Sequence, residues 1–340
     1  MATQPTKAGA VTLIDFAKSI DPNGKVANTI ELLSQTNEIL TDMLWKEGNL
    51  ATGHRTSMRT GLPTAIWRQL YGGVPASKST RATIDDACGM LEARSAVDVD
   101  LANLNGNADA FRMSEAEAFL EAMNQAFVQT LFYGDTTLNP ERFMGLSARY
   151  SLSSALNGQN IIKMGGASNA NNSIWLIGWG ENTACGIYPK ASESGLQHWD
   201  LGEGDDFDGN NNRYRALMDR WQWKCGLTLP DWRYAVRICN IDQTAILADT
   251  TGTLKIMEAM LRARARIPAL GKARCAFYMN RTLAEMLQIQ AMNKSTNALS
   301  LKEGADQFGT GGASGSFVTN FMGIPIRQTD ALLSTEANVA

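Results

Sequence analysis

Side chains that commonly catalyse reactions or bind metals are few in this chain of 340 residues, and they lie far apart. Only His54 and His198 supply imidazole, and no two of the five cysteines have the Cys-x-x-Cys spacing of a zinc site. The chain also lacks the Gly-x-Ser-x-Gly sequence that surrounds many nucleophilic serines. The sequence therefore predicts no catalytic residues, no metal site, and reduced thiols in place of disulfides.

Two segments partly match ligand-binding loops, but each lacks residues that the loop requires. Residues 309–314 have a serine in the third glycine position of the nucleotide-binding pattern, and no clear strand leads into them. Asp206 and Asp208 match the middle of a calcium-binding EF-hand loop, whereas Gly204 and Arg215 occupy its first and twelfth ligand positions. We therefore expect no cofactor.

The clearest pattern in the sequence is electrostatic. Residues 48–84 contain no Asp or Glu, although the whole chain has a net charge of −3. Their cations are Arg55, Arg59, Arg68, Lys78 and Arg81. Acidic side chains follow within sixteen residues, at Asp85, Asp86, Glu92, Asp98 and Asp100. A basic and an acidic surface on one chain would complement those of a second copy, so we predict head-to-tail assembly into rings or lattices.

The same basic segment admits a second interpretation. Trp67 and Tyr71 lie among its cations and would offer stacking surfaces beside phosphate contacts. A net charge of −3 argues against a dedicated nucleic-acid binder. Two alternatives to assembly stay open: a nucleic-acid-binding module that uses residues 48–84, and a soluble enzyme of unknown reaction.

Length and composition set the scale of the fold. A chain of 340 residues with 44% hydrophobic content can build one large or two medium cores. No apolar run approaches the roughly 20 residues that cross a bilayer, and residues 1–10 lack the pattern of a secretory signal. We expect a folded protein with no membrane partner.

Hydrophobic periodicity places the charged segment between helices and strands. Apolar residues between Ile30 and Leu44 recur near helical spacing and predict a helix over about 28–45. Short β-like pieces separated by Gly and Pro predict an extended hairpin loop over 48–84. Alternating valines and aspartates predict a half-buried strand near 97–101.

The clearest predicted helix begins at Ser114. Ser114 and Glu117 have capping-box spacing, an apolar stripe follows, and Gly134 suits the position after the helix. Further along, strands are predicted at 173–179, 220–229, 232–241, 275–279 and 324–329. Helices are predicted at 253–266 and after Asn280. Polar loops are predicted at 169–173, 205–212 and 304–316.

Short segments spread along most of the chain carry a family resemblance. In the first part they are Trp45-Lys46-Glu47-Gly48-Asn49, Gly53-His54-Arg55-Thr56, Gly61-Leu62-Pro63-Thr64, Trp67-Arg68, Ser77-Lys78-Ser79-Thr80 and Cys88-Gly89-Met90-Leu91-Glu92. Later they are Glu121-Ala122-Met123-Asn124-Gln125, Thr130-Leu131-Phe132-Tyr133-Gly134, Ser173-Ile174-Trp175-Leu176, Gly186-Ile187-Tyr188-Pro189 and Asp231-Trp232-Arg233-Tyr234. These segments resemble the major capsid protein of tailed bacteriophages, in a family found among short-tailed phages and prophages.

The resemblance implies an α+β fold of the Hong Kong 97 type. The implied parts are an N-terminal arm and helix at 1–47, an extended hairpin loop at 48–84, a peripheral domain at 85–172 with a spine helix at 114–133, an axial domain and sheet at 173–320 with inserted surface loops, and a C-terminal strand at 321–340 that returns to the peripheral domain. In this fold the extended loop would lie over the peripheral domain of an adjacent subunit. The predicted contacts between subunits are Arg55, Arg59, Trp67, Arg68, Leu70, Tyr71, Lys78, Arg81, Asp85, Asp86, Asp98 and Asp100.

The resemblance also implies a structural role without catalysis. The chain would assemble itself into the hexamers and pentamers of an icosahedral phage head that encloses double-stranded DNA. Its implied partners are other copies of itself, a portal protein, cement or decoration proteins, and the packaged DNA through non-specific contact. Scaffolding would come from a separate protein or be absent. We expect assembly in the cytoplasm of the bacterial host and a final location in the virion.

Overall fold

The computed structural model describes residues 35–103, 108–167, 169–249, 254–293 and 320–339. Residues 1–34 of the predicted N-terminal arm and helix, and the loop predicted at 304–316, lie outside the described residues. The helix predicted over 28–45 is wrong for most of its described part, which is helical only at Ile39–Asp42 and enters a strand at Trp45. Within the described ranges, helices and strands are mixed along the chain. None of the helices in these ranges is long and apolar enough to cross a membrane.

Strands occur in both halves of the described chain. In chain order they are β1 (Trp45–Glu47), β2 (Gly53–Gly61), β3 (Thr80–Ala87), β4 (Gly89–Asp98), β5 (Ile161–Lys163), β6 (Asn171–Trp179), β7 (Cys185–Tyr188), β8 (Leu196–Phe207), β9 (Arg213–Thr228), β10 (Ala235–Asp242), β11 (Arg274–Met279), β12 (Asn320–Phe321) and β13 (Ile324–Gln328).

The helices are mostly short, with one long exception. In chain order the α-helices are α1 (Ile39–Asp42), α2 (Val99–Ala102), α3 (Ala108–Tyr133), α4 (Leu146–Arg149), α5 (Gln243–Ala248), α6 (Ile256–Arg266) and α7 (Arg281–Asn293). Short 3₁₀ helices lie at Leu156–Asn160, Trp232–Tyr234 and Leu270–Lys272.

The described residues form two compact units, and each is discontinuous in sequence. The smaller unit contains Met90–Val128 and Glu193–Lys224, together with Gln35. The larger unit takes its described residues from Thr36–Gly89, Gln129–Ser192 and Cys225–Ala340. This division differs from the contiguous domains expected from the sequence, so the limits of a peripheral and an axial domain stay predictions.

A six-stranded sheet forms the centre of the larger unit, in the order β12-β13-β11-β6-β10-β5. All nine residues of β6 are buried, because antiparallel strands β10 and β11 flank it and side chains cover both faces. Ile174 and Leu176, which share one face, pack in a cluster with Met260 of α6 and Leu283 of α7. This burial explains the uninterrupted apolar run in the sequence of β6.

Two polar networks join distant parts of the larger unit. Arg327 of β13 lies 3.1 Å from the carboxylate of Asp42 in α1, and the hydroxyl of Tyr278 donates to the same carboxylate at 3.0 Å. Arg237 and Glu336 form a buried ion pair at 2.8 Å. These contacts tie chain segments before the first strand and after the last strand to the central sheet.

In the smaller unit, α3 packs against strands β8 and β9. Phe119 stacks on Trp221 with ring centroids 5.5 Å apart, and Phe127 stacks on Trp223 at 4.5 Å. Arg112 of α3 donates to one carboxylate on β8 at 2.8 Å and to one on β9 at 2.9 Å. Aromatic stacking and charge pairing therefore hold the helix on this sheet.

The helix predicted to begin at Ser114 begins six residues earlier, at Ala108. The capping-box interpretation of Ser114 is therefore wrong, and Ser114 lies inside α3. Phe111 explains the longer helix, since it is buried in a cluster with Val97 and Ala102. Burial of this aromatic side chain outweighs the local capping signal.

The strand predicted near 97–101 is also partly wrong. Strand β4 ends at Asp98, and the chain then turns into α2. The carboxylate of Asp98 accepts a hydrogen bond from the amide of Asp100 at 2.9 Å, as expected for a residue that caps a helix. The alternation of valine and aspartate therefore marks a strand end followed by a helix start.

The polar loop predicted at 205–212 is confirmed for residues 208–212, whereas residues 205–207 belong to strand β8. Strands β8 and β9 pair from Leu196 with Trp223 to Phe207 with Arg213, which leaves only residues 208–212 for the turn. Aspartates and glycines disfavour strands, but cross-strand pairs compensate here. Arg215 lies within 3.2 Å of carboxylates on β8, and such a pairing has no local sequence signal.

Other predictions are confirmed. The strands expected at 173–179, 275–279 and 324–329 match β6, β11 and β13 within a few residues. Asn280 caps α7, because its side-chain oxygen accepts from the amide of Leu283 at 3.0 Å.

Candidate assembly surface

Strands β2 and β3 form a two-stranded antiparallel sheet, which we call the charged hairpin (residues 53–87). Its tip, residues 62–79, connects the strands without further regular pairing. The structure thus contains a hairpin in the region where the sequence predicted one, although its second strand continues past residue 84 to Ala87. Side chains alternate between an exposed face and a partly buried face along β2.

The exposed face carries the basic residues in two different settings. Arg55 and Asp85 are cross-strand partners, and the guanidinium donates two hydrogen bonds of 2.6 Å to the carboxylate. Through this hydrogen bond Arg55 lowers the pKa of Asp85. Arg59 lies directly opposite Arg81, and like charges in this position destabilise a hairpin. One pair is satisfied within the chain, whereas the other would gain from an external anion.

The tip exposes apolar side chains on an unusual scale. Trp67 and Tyr71 are fully exposed, Leu70 is 89% exposed and Leu62 is 80% exposed. Arg68 and Lys78 are exposed beside them. Tyr71 adopts a left-handed backbone conformation with a φ angle of 62°, which is unfavourable for a bulky residue. Contiguous exposed apolar surface on a folded chain indicates an interaction site.

The other acidic residues predicted to contact a neighbour divide into two groups. Asp86 is buried, and Arg149 holds its carboxylate at 2.8 Å, so its side chain is already paired within its own subunit. Adjacent residues of a strand point to opposite faces, so Asp86 faces away from the surface that carries Asp85. Asp98 is partly buried as a helix cap, and Asp100 is exposed.

A larger acidic surface follows in the smaller unit. Residues 98–121, the acidic stretch, contain six acidic residues and one cation, Arg112. That cation is already committed to Asp200 and Asp219. Asp109 and Glu117 on α3 are exposed. Sequence reasoning assigned these helical carboxylates no role, although counting charges over 98–121 would have revealed the surplus.

No site for catalysis or metal binding emerges from the described residues. They contain no group of three or more His, Cys, Asp or Glu side chains that could hold a metal ion. All five cysteines are free, and burial raises the pKa of the Cys88 and Cys275 thiols to about 11. Thiols with such pKa values carry little reactive thiolate near neutral pH.

The comparisons with known proteins agree on one family. The family model for major capsid protein GP7 matches residues 21–340. A chain in the near-atomic cryo-EM structure of bacteriophage Epsilon15 is 31% identical, with 97% of each chain covered and a TM-score of 0.77. The capsid of bacteriophage JBD30 is 9% identical, with 88% of this chain and 92% of that chain covered and a TM-score of 0.50, so it shares the fold. No curated protein matches the chain.

These matches confirm the resemblance and the Hong Kong 97-type capsid fold predicted from the sequence. They also confirm a structural role in a phage capsid. The chain belongs to the family of the major capsid protein GP7.

Proposed function

We propose that this chain builds the hexamers and pentamers of an icosahedral phage head by placing its charged hairpin on a second copy. The exposed tip is the main support for this proposal, because the described residues of the subunit leave Trp67, Leu70 and Tyr71 without apolar cover. Burying one such side chain contributes about 1.5–3 kcal/mol, whereas an exposed ion pair contributes about 0–1 kcal/mol. The apolar anchors therefore supply most of the affinity.

The acidic stretch of a second copy is the partner surface that fits the hairpin. Arg59 and Arg81 add two adjacent positive charges on the exposed face, and Arg68 and Lys78 add two more at the tip. Asp100, together with the exposed carboxylates on α3, offers the opposite charge. Such complementarity orients a contact and speeds encounter more than it strengthens the final complex. A basic surface that meets a different, acidic surface gives the head-to-tail contact that a closed shell requires.

Several finer features belong to the same proposal. The head would enclose double-stranded DNA, and assembly would take place in the bacterial cytoplasm with a separate scaffold protein. A portal protein and cement or decoration proteins would join the shell. The capsid family supports a non-enzymatic role. A nucleic-acid-binding module would instead show DNA affinity that falls steeply with salt in the absence of any shell.

The test is to express the chain with and without its scaffold and to examine the product by electron microscopy and light scattering. We expect closed shells or capsomer rings of fixed size. The double variant W67A/L70A should remain a folded subunit and fail to assemble, while L138A, which removes an exposed leucine outside the hairpin, should assemble normally. A wild-type protein that stays small and monodisperse with co-expressed scaffold would contradict the proposal.

A further inference from the structure

Two adjacent aspartates at the end of β3 have opposite surroundings. Asp85 lies on the exposed face of the charged hairpin and pairs with Arg55 on the neighbouring strand. Asp86 points to the other face and is 6% exposed. A buried carboxylate requires partners, and the partners of Asp86 lie outside the hairpin.

Those partners come from two separate elements of the larger unit. One oxygen of Asp86 forms an ion pair with the guanidinium of Arg149 at 2.8 Å, and the other accepts a hydrogen bond from the hydroxyl of Thr228 at 2.7 Å. Arg149, the last residue of α4, also donates to the main-chain carbonyls of Met144 and Leu227. The carboxylate thus joins β3 to α4 and to the end of β9.

The backbone at the base of the hairpin is packed as closely as its side chains. A Cβ atom on Gly53 would lie 2.0 Å from the carbonyl oxygen of Asp86, and one on Gly48 would lie 2.3 Å from the carbonyl oxygen of Gly53. The amide of Cys88 donates to the carbonyl of Thr52 at 2.9 Å. Beyond this base, β2 and β3 form a sheet of their own. The base is therefore where the direction of the hairpin is decided.

The length of the hairpin amplifies any change at that base. The nine residues of β2 extend about 30 Å at about 3.3 Å per residue. A rotation of about 10° at the base would displace the far end of the strands by about 5 Å, whereas binding residues must be placed within about 0.5 Å. A fixed base is thus a condition for the tip to reach its partner.

We infer that Asp86 is the positioning residue of the charged hairpin, because its buried carboxylate, held by Arg149 and Thr228, sets the direction in which the hairpin projects from the rest of the larger unit. The consequence for assembly rests on the proposed function. The role of Asp86 in setting the direction of the hairpin concerns a single subunit, so it can be tested without any shell.

Distances between spin labels test directly whether Asp86 sets the direction of the hairpin. Labels at S57C, on the exposed face of β2, and at L138C, an exposed site of the larger unit, report the direction of the strands without including the tip. Burial raises the pKa of the native Cys88, Cys185 and Cys275 thiols to about 11, so labelling favours the introduced cysteines.

The decisive variants differ by one position along β3. D86N keeps the size of the side chain and one acceptor for Thr228, but it removes the charge that faces Arg149. We expect the distance distribution to widen about twofold or to shift by about 5 Å in D86N. D85N removes the exposed carboxylate instead and should leave the distribution unchanged. Circular dichroism shows whether the D86N subunit is folded. If it is folded and its distance distribution equals that of D85N, the inference is overturned.

A second variant covers the case in which D86N does not fold. R149K keeps the positive charge but loses the fork that reaches Asp86 and two carbonyls together. It should widen the distribution less than D86N does, and an unchanged distribution in R149K overturns the inference. Shell yield is then measured with co-expressed scaffold, where D86N should lose about tenfold. If the wild type forms no shell, the proposed function fails, while the label distances still decide the role of Asp86.

Discussion

Strand β6 and the tip of the charged hairpin use similar residues in opposite ways. Ile174, Trp175, Leu176 and Ile177 of β6 have no solvent exposure. In the tip, Trp67 and Tyr71 are fully exposed and Leu70 nearly so. The free energy of apolar burial is gained within one chain at β6, but at the tip it is available only through another molecule. The contrast separates residues that fold the subunit from residues that join subunits.

The largest expected effect comes from the same substitution made in both regions. W175A should lower the free energy of unfolding by about 3–5 kcal/mol, because it leaves a cavity beside Phe132 and Tyr150. W67A should change it by less than about 0.5 kcal/mol, since no buried contact is lost. Urea denaturation of the two variants measures both. Equal destabilisation would show that Trp67 is packed within its own subunit.

Assembly should show the reverse order of sensitivity for Trp67. A buried aromatic anchor at an interface contributes about 2 kcal/mol or more, so W67A should raise the protein concentration needed for shell formation about thirtyfold. Light scattering against concentration measures this threshold. L138A is the matched control, because it removes an exposed leucine of the larger unit. A threshold unaffected by W67A would remove the tip from the interface.

Reversing one charge should separate hairpin stability from assembly. R59E places a carboxylate opposite Arg81, so the isolated hairpin should gain about 0.2–1 kcal/mol. Assembly should nevertheless weaken, most at low ionic strength, because the acidic partner surface now faces a like charge. Amide exchange in β2 and the salt dependence of shell formation measure the two effects. K272E, on an exposed lysine outside the hairpin, is the control. Stronger assembly of R59E would exclude an acidic partner.

The smallest expected effect is a pH dependence of the hairpin. The hydrogen bond from Arg55 lowers the pKa of Asp85 in the folded state below its ordinary value of 3.8. The pair therefore stabilises the hairpin above that value, and its contribution is lost as the pH falls towards the folded pKa. Amide protection in β2 and β3 should decline between about pH 5 and pH 3 in the wild type and less in D85N. Identical profiles would mean that the pair does not support the hairpin.

Sequence reasoning succeeded where one segment determines its own environment. Neighbouring residues were enough to predict the apolar run of β6, the cap at Asn280 and the basic hairpin. It failed where a distant partner decides. Asp86 is buried because Arg149 and Thr228 reach it, and nothing near Asp86 in the chain signals this.

The same limit applies to the acidic regions of the smaller unit. The start of α3 depends on the burial of Phe111 beside Val97, so the capping signal at Ser114 was misleading. Strand β8 forms despite its aspartates and glycines because Arg215 pairs across to it. Contacts between subunits are even harder to predict from the sequence, because the two contacting surfaces lie on different copies of the chain.

The polar network of Arg327 and Asp42 has a consequence for the order of folding. These residues are 285 positions apart, whereas Arg55 and Asp85 of the hairpin are 30 apart. Contacts between nearby residues form early, and distant ones wait for a costly loop closure. The hairpin can therefore present its aromatic tip before the sheet that supports it is complete. During synthesis an exposed aromatic tip on an incomplete subunit is therefore an aggregation hazard.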